Sequence, residues 1–132
     1  MSISAADHSV DTMTGPSVII VEDNFLVADS LRWLLENDGY KVVGLAGSLE
    51  RAAALIDEVA FDLAVLDVDL HGNNVAPVAR RLVERSKPFM FLTGYADVGD
   101  MSTEFADVPR LEKPADPARI LAVLGSISST SP

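Results

Sequence analysis

Five side chains with complementary chemistry stand at the ends of short apolar runs. Glu22 and Asp23 follow SVIIV, Asp67 follows LAVL, Thr93 follows FMFL, and Lys113 follows the RLE that starts at Arg110. Apolar runs this short suit strands buried on both faces, the habit of a parallel sheet. In an open parallel sheet the carboxyl ends of the strands share one edge. Three carboxylates, a hydroxyl and an ammonium therefore converge on one crevice. Like charges about 5 Å apart repel by roughly 3 kcal/mol per pair at an effective dielectric near 20, and one lysine offsets only part of that. The cluster needs protons or a bound cation. Hard oxygen ligands without Cys or His select Mg²⁺, Mn²⁺ or Ca²⁺, and a few carboxylates with water and phosphate is the Mg²⁺ habit. A divalent ion, a lysine, a hydroxyl donor and a spare carboxylate suit phosphoryl transfer, in which positive groups neutralise the equatorial oxygens while a carboxylate oxygen attacks in line.

Taken singly, each residue has a plainer reading. Asp23 suits a helix N-cap, Asp67 an Asx-turn and Thr93-Gly94 an ordinary turn, and Lys113 before Pro114 a solvated charge. Those readings leave complementary chemistry on one edge to coincidence.

The elements that must position these groups alternate in period. Strands are expected at 17–21, 41–46, 63–66, 89–92 and 110–112. Between them, residues 24–38 carry Val27, Leu31, Leu34 and Leu35 at helical spacing, with Gly39 as the stop. Ser48 caps a helix to about residue 58, with Ala52, Leu55, Ile56 and Val59 on one side. After a polar loop containing Gly72, Asn73 and Asn74, residues 75–85 show Val75, Val78, Ala79 and Leu82. Pro117 opens a last helix with Ile120, Leu121 and Leu124 inward. Residues 95–108 have few apolar residues and no helical stripe, so the fourth helix is expected to be short or poorly ordered. Five β/α repeats imply an α/β fold, a doubly wound five-stranded parallel sheet with helices on both faces, and 2-1-3-4-5 is the expected strand order because it is a common arrangement of such sheets.

Composition bounds the rest. The 132 residues are 48% apolar and 23% charged, so one globular domain is expected and wholesale disorder is not. No cysteine is present, which excludes a thiol nucleophile, a Cys-ligated metal and a disulfide framework. The formal charge of −10 repels phosphate backbones and anionic lipid; Arg80, Arg81, Arg85 and Lys87 read as the solvated side of a helix. No nucleic-acid or membrane partner is expected. Residues 1–15 lack Lys, Arg and an apolar block, and read as a polar tail rather than a signal peptide. The domain is expected over 16–125, with 126–132 as a Ser-rich tail and a cytoplasmic location.

The series VED (21–23), LDVD (66–69), LTG (92–94) and LEKP (111–114) resembles the receiver domain of bacterial two-component response regulators over about residues 17–125. The resemblance implies a (βα)5, flavodoxin-like fold and an aspartate, Asp67, that accepts phosphate from a histidine kinase as an acyl phosphate. It implies Mg²⁺, with Mn²⁺ as a substitute, bound by Glu22, Asp23, Asp67 and the backbone carbonyl of Asp69. Thr93 would hydrogen-bond the phosphoryl group and Lys113 would pair with it. PFMFLTGY (88–95) further resembles the PFxFATGY signature of FATGUY single-domain receivers, with Leu92 in the Ala place. That points to an HWE-type kinase, an unknown downstream protein or a phosphate-sink role, and a monomer or weak dimer. The chain would be a phosphoacceptor rather than a turnover enzyme.

Ordinary receivers carry Tyr or Phe two residues before the lysine, where this chain has Leu111. Tyr95, two residues after Thr93, is the alternative switch candidate. His71 stands where many receivers have proline, and reads as a solvated side chain. Trp33 lies off the core stripe of its helix and is expected to pack at the helix margin. By resemblance alone, Phe25, Leu26 and Pro114 are kinase-contact candidates. Two other readings remain: a small phosphatase of the haloacid-dehalogenase type, from Asp67-x-Asp69 with Thr93 and Lys113, and a binding-only pseudo-receiver. Against the phosphatase, an acidic pair precedes the DxD and the chain ends soon after Lys113.

Overall fold

The computed structural model describes residues 15–94 and 104–129. Five parallel strands form one sheet: β1 Ser17–Val21, β2 Lys41–Ala46, β3 Leu63–Asp67, β6 Phe89–Thr93 and β7 Arg110–Glu112. A separate two-residue hairpin pairs β4 Asp69–Leu70 with β5 Asn73–Asn74. Helices α1 Phe25–Asn37, α2 Leu49–Glu58, α3 Ala76–Glu84 and α4 Pro117–Ser129 complete the described elements. The sheet order is β2-β1-β3-β6-β7, which is 2-1-3-4-5 once the hairpin is set aside. The fold class expected from the alternating periods is the one observed.

The sheet divides the core in two because successive strand residues face opposite sides. Ile19 and Val21 of β1, with Ala64 and Leu66 of β3, face α2 and α3 and meet Leu55, Ile56, Val78 and Leu82. Val18 and Ile20, with Leu63 and Val65, face α1 and α4 and meet Leu31, Leu35, Ile120 and Leu124. Both β1 and β3 are thus apolar on both faces, as a central parallel strand requires. Gly44 of β2 lies under α2; a Cβ there would stand 2.8 Å from a methyl of Leu55. Ser48 accepts from the Arg51 N–H and caps α2 as its position suggests.

The last helix does not give way at residue 126. It runs through Gly125 to Ser129, because Val123, Leu124 and Ile127 extend the stripe that packs on the α1-side core. Packing here outweighs the low helix propensity of Gly125 and the serines. Of the weakly patterned 95–108 stretch, residues 95–103, and with them Tyr95, lie outside the described residues. Residues 104–107 form a turn, and its Phe105 is buried in edge-on contact with Phe89 and Phe91.

Candidate functional site

The carboxyl ends of β1, β3, β6 and β7 bring the predicted groups together. Glu22 extends β1: its N–H donates to the Ala46 carbonyl at 2.9 Å, which aims its side chain into the sheet edge. Lys113 continues β7 by donating its N–H to the Thr93 carbonyl at 2.7 Å. Its Nζ then lies 2.9 Å from Glu22 Oε1 and 3.2 Å from Asp67 Oδ2. One oxygen each of Glu22, Asp23 and Asp67 falls within 4.8 Å of the others. Glu22, Asp67 and Thr93 are the buried polar residues among those described, at 5%, 6% and 6% exposure. The Thr93 hydroxyl has no hydrogen-bond partner among the described residues.

Burial pushes the Glu22 carboxyl above the usual carboxylate range. Lys113 and the Asn24 N–H, 3.1 Å from Oε2, pull it back only in part, and the charge of Asp67 pushes it further up. For Lys113, burial works against the ammonium, but the hydrogen bond to Glu22 and the charge of Asp67 outweigh it, so its pKa is held above the ordinary lysine value. Each partner's charge is thus what makes the other's tolerable. The donor set fits a hard divalent cation, since the group is made of three carboxylates, one oxygen of each within 4.8 Å of the others, with no nitrogen or sulfur ligand in it.

The plainer readings resolve one by one. Asp23 is not the helix cap: Asn24 is, with Oδ1 accepting from the N–H groups of Leu26 and Val27 at 3.0 and 3.2 Å. Asp23 is thereby left for the crevice. Asp67 does make the Asx-type contact, with Oδ1 accepting from the Asp69 N–H at 3.2 Å, while Oδ2 faces Lys113. Lys113 is not a solvated charge.

The pattern of the response regulator receiver domain matches residues 18–124. The chain belongs to that family. The sensory transduction protein LytT of Bacillus subtilis is 33% identical to the receiver over 110 residues, 81% of this chain and 46% of that protein. The aerobic respiration control protein ArcA of Escherichia coli is 29% identical over 111 residues, 82% of this chain and again 46% of the relative. The chain thus spans about half the length of these curated relatives. Among solved structures, SdrG from Sphingomonas melonis superposes with a TM-score of 0.75 at 34% identity, covering 85% of this chain and 95% of that one.

The receiver's sequence hid three features of the site. The loop after Asp67 is a hairpin, whose His71-Gly72 tip carries positive φ at both residues; a turn of this kind is ordinarily signalled by Asn-Gly or Asp-Gly. The His71 side chain is solvated as expected, at 70% exposure, but its backbone N–H donates to Asp23 Oδ2 at 2.8 Å and its Nδ1 lies 3.3 Å from the same oxygen. Trp33 does not pack at the helix margin: it is 69% exposed. With Leu26, Pro114, Pro117 and Ile120 it lines a mostly apolar groove of about 690 Å³ between α1 and the start of α4, reaching Lys113. Leu111 is half-buried against the α1-side core. Among the described residues no helix is long and apolar enough to cross a membrane.

Proposed function

We propose that this receiver takes a phosphoryl group onto Asp67 from a histidine kinase, and signals through protein contacts or serves as a phosphate sink. The observation that supports it is the placement of the Lys113 ammonium against both Glu22 and Asp67, at the same sheet edge as a buried Thr93 whose hydroxyl has no partner among the described residues. A carboxylate oxygen of Asp67 attacks phosphorus; the new O–P bond forms as the P–N bond to the donor imidazole breaks, and its electron pair stays with the imidazole. The Thr93 hydroxyl donates to a phosphoryl oxygen and Lys113 pairs with another, so that charge developing there meets fixed positive partners. Glu22, Asp23, Asp67 and the Asp69 backbone carbonyl are the residues that would hold Mg²⁺ or Mn²⁺. Such an ion, when bound, supplies neutralisation of the phosphoryl oxygens.

The partner reading is an HWE-type kinase docking on Phe25, Leu26 and Pro114, with Phe25 and Leu26 73% and 74% exposed beside the crevice. It carries over from the motif resemblance, as do stand-alone operation and a monomeric or weakly dimeric state. Neither the phosphatase nor the binding-only alternative is favoured by a feature of the site.

Intact mass spectrometry after incubation with a small acyl-phosphate donor, with and without Mg²⁺, tests the chemistry. A single Mg²⁺-dependent phosphoryl adduct that disappears in Asp67→Asn is expected. An adduct that survives in Asp67→Asn, or none from either the small donor or a kinase, would overturn the assignment.

A further inference from the structure

The hairpin after β3 brings the backbone N–H of one residue onto a carboxylate oxygen and sets the same residue's ring nitrogen beside it. Its tip is the pair His71-Gly72, with φ of 51° and 82°, held by the pairing of Asp69 with Asn74 and of Leu70 with Asn73. Positive φ at both tip residues is the requirement of a type I′ turn, and histidine is among the few side chains that enter this region with some frequency. The turn directs the His71 N–H at Asp23 Oδ2, 2.8 Å away, and sets the ring nitrogen Nδ1 at 3.3 Å from that oxygen. Oδ1 of Asp23 receives no hydrogen bond from any described residue. The two contacts span 48 residues of sequence and join the hairpin to the end of β1.

We propose that His71 is a positioning residue for the cation site: it fixes Asp23 by Oδ2 and so leaves Oδ1 available to a divalent ion. This rests on the reading of Glu22, Asp23 and Asp67 as that site. A ligating carboxylate free to rotate must be ordered when the ion arrives, whereas one held by outer hydrogen bonds is already aimed. The side chain of Asp23 is 19% exposed and lacks the enclosing packing that orients Glu22 and Asp67, at 2% and 7%. The hairpin supplies the orientation that packing gives the other two.

The test uses the full chain and two substitutions at the tip. His71→Gly keeps the backbone N–H and suits the positive φ, but removes the ring. His71→Asn places a side-chain nitrogen at the same number of bonds from Cα as Nδ1, in the Asn-Gly pair that type I′ turns favour. Mn²⁺ binding is measured by the loss of the free-ion electron paramagnetic resonance signal, with the metal-free melting temperature recorded for each protein. His71→Gly is expected to weaken Mn²⁺ about tenfold, and His71→Asn to stay within about threefold of wild type. Metal-free melting temperatures should not follow that order. Unchanged or tighter binding in His71→Gly overturns the inference, as does a loss in both variants that tracks their melting temperatures. A directly coordinated histidine nitrogen on bound Mn²⁺ in electron spin echo spectra makes His71 a ligand instead, and overturns it too. If wild type binds no Mn²⁺ at all, the cation-site reading falls first and carries this one with it.

Discussion

Lys113 is the only cation contacting the acidic cluster among the described residues, and it is shared between Glu22 and Asp67. Glu22 is nearly enclosed, so removing the ammonium leaves a buried carboxylate without its charge partner. Lys113→Met is expected to lose roughly 1–3 kcal/mol of stability in urea unfolding. Because it also removes the cation that competes with a metal, added Mg²⁺ should raise the variant's melting temperature by more than it raises that of wild type. The pH dependence follows from Glu22. Its pKa is raised in the fold, so a proton begins to compete with metal while the pH is still above the usual carboxylate range. Calorimetric titrations should show Mg²⁺ affinity falling as pH drops through that raised value and recovering above it. For Lys113 the sign is opposite in its consequence. With a folded pKa above the unfolded one, the stabilisation it gives is complete below the ordinary lysine value, and is lost as pH rises through the folded value.

Among the elements, the strands and the first three helices follow directly from sequence period. The SVIIV, LAVLD and FMFLT runs can bury both faces only in the middle of a covered parallel sheet, and the stripes of α1, α2 and α3 match its two sides. Two connections were less legible. The β4–β5 hairpin rests on a His-Gly tip, and the seating of Phe105 rests on one aromatic in a stretch without periodicity. That seat is cooperative: Phe105 meets Phe91 with centroids 5.8 Å apart, and Arg110 donates to the Phe105 carbonyl at 2.8 Å while lying over Phe91. Arg80 of α3 adds a two-point ion pair to Glu104, at 2.7 and 2.9 Å. Phe105→Ala should cost about 3 kcal/mol through the cavity it leaves, read as a lower urea midpoint at unchanged slope. Arg80→Ala removes only an exposed pair and should leave the urea midpoint close to that of wild type.

On the scale of the molecule, a chain of net charge −10 carries exposed apolar side chains along α1. Phe25, Leu26 and Trp33 lie along α1 with most of their surface in water, where aromatic residues commonly anchor partners. If the kinase seats there, Phe25→Glu with Leu26→Glu should cut phosphotransfer from the kinase by about tenfold or more. Phosphorylation by a small acyl-phosphate donor should be unchanged, since neither residue is among the groups that would hold the phosphoryl group or the metal. Equal loss with both donors would place the defect in the site rather than in docking.

The sequence by itself determined the sheet, its order, the helices that cover it and the five groups at its edge. Each follows from local period and from the rule that parallel strands end together, except the strand order, which was expected as a common arrangement of doubly wound sheets. Tertiary structure decided what those groups do to one another. It gave Lys113 two carboxylates, passed the cap of α1 to Asn24 so that Asp23 was left for the crevice, and carried α4 past Gly125 on the strength of Ile127. It also set His71 against Asp23. Apart from the local Asn24 cap, none of these contacts has a signature in the order of residues, because each depends on the distance between chain segments that only packing brings within reach.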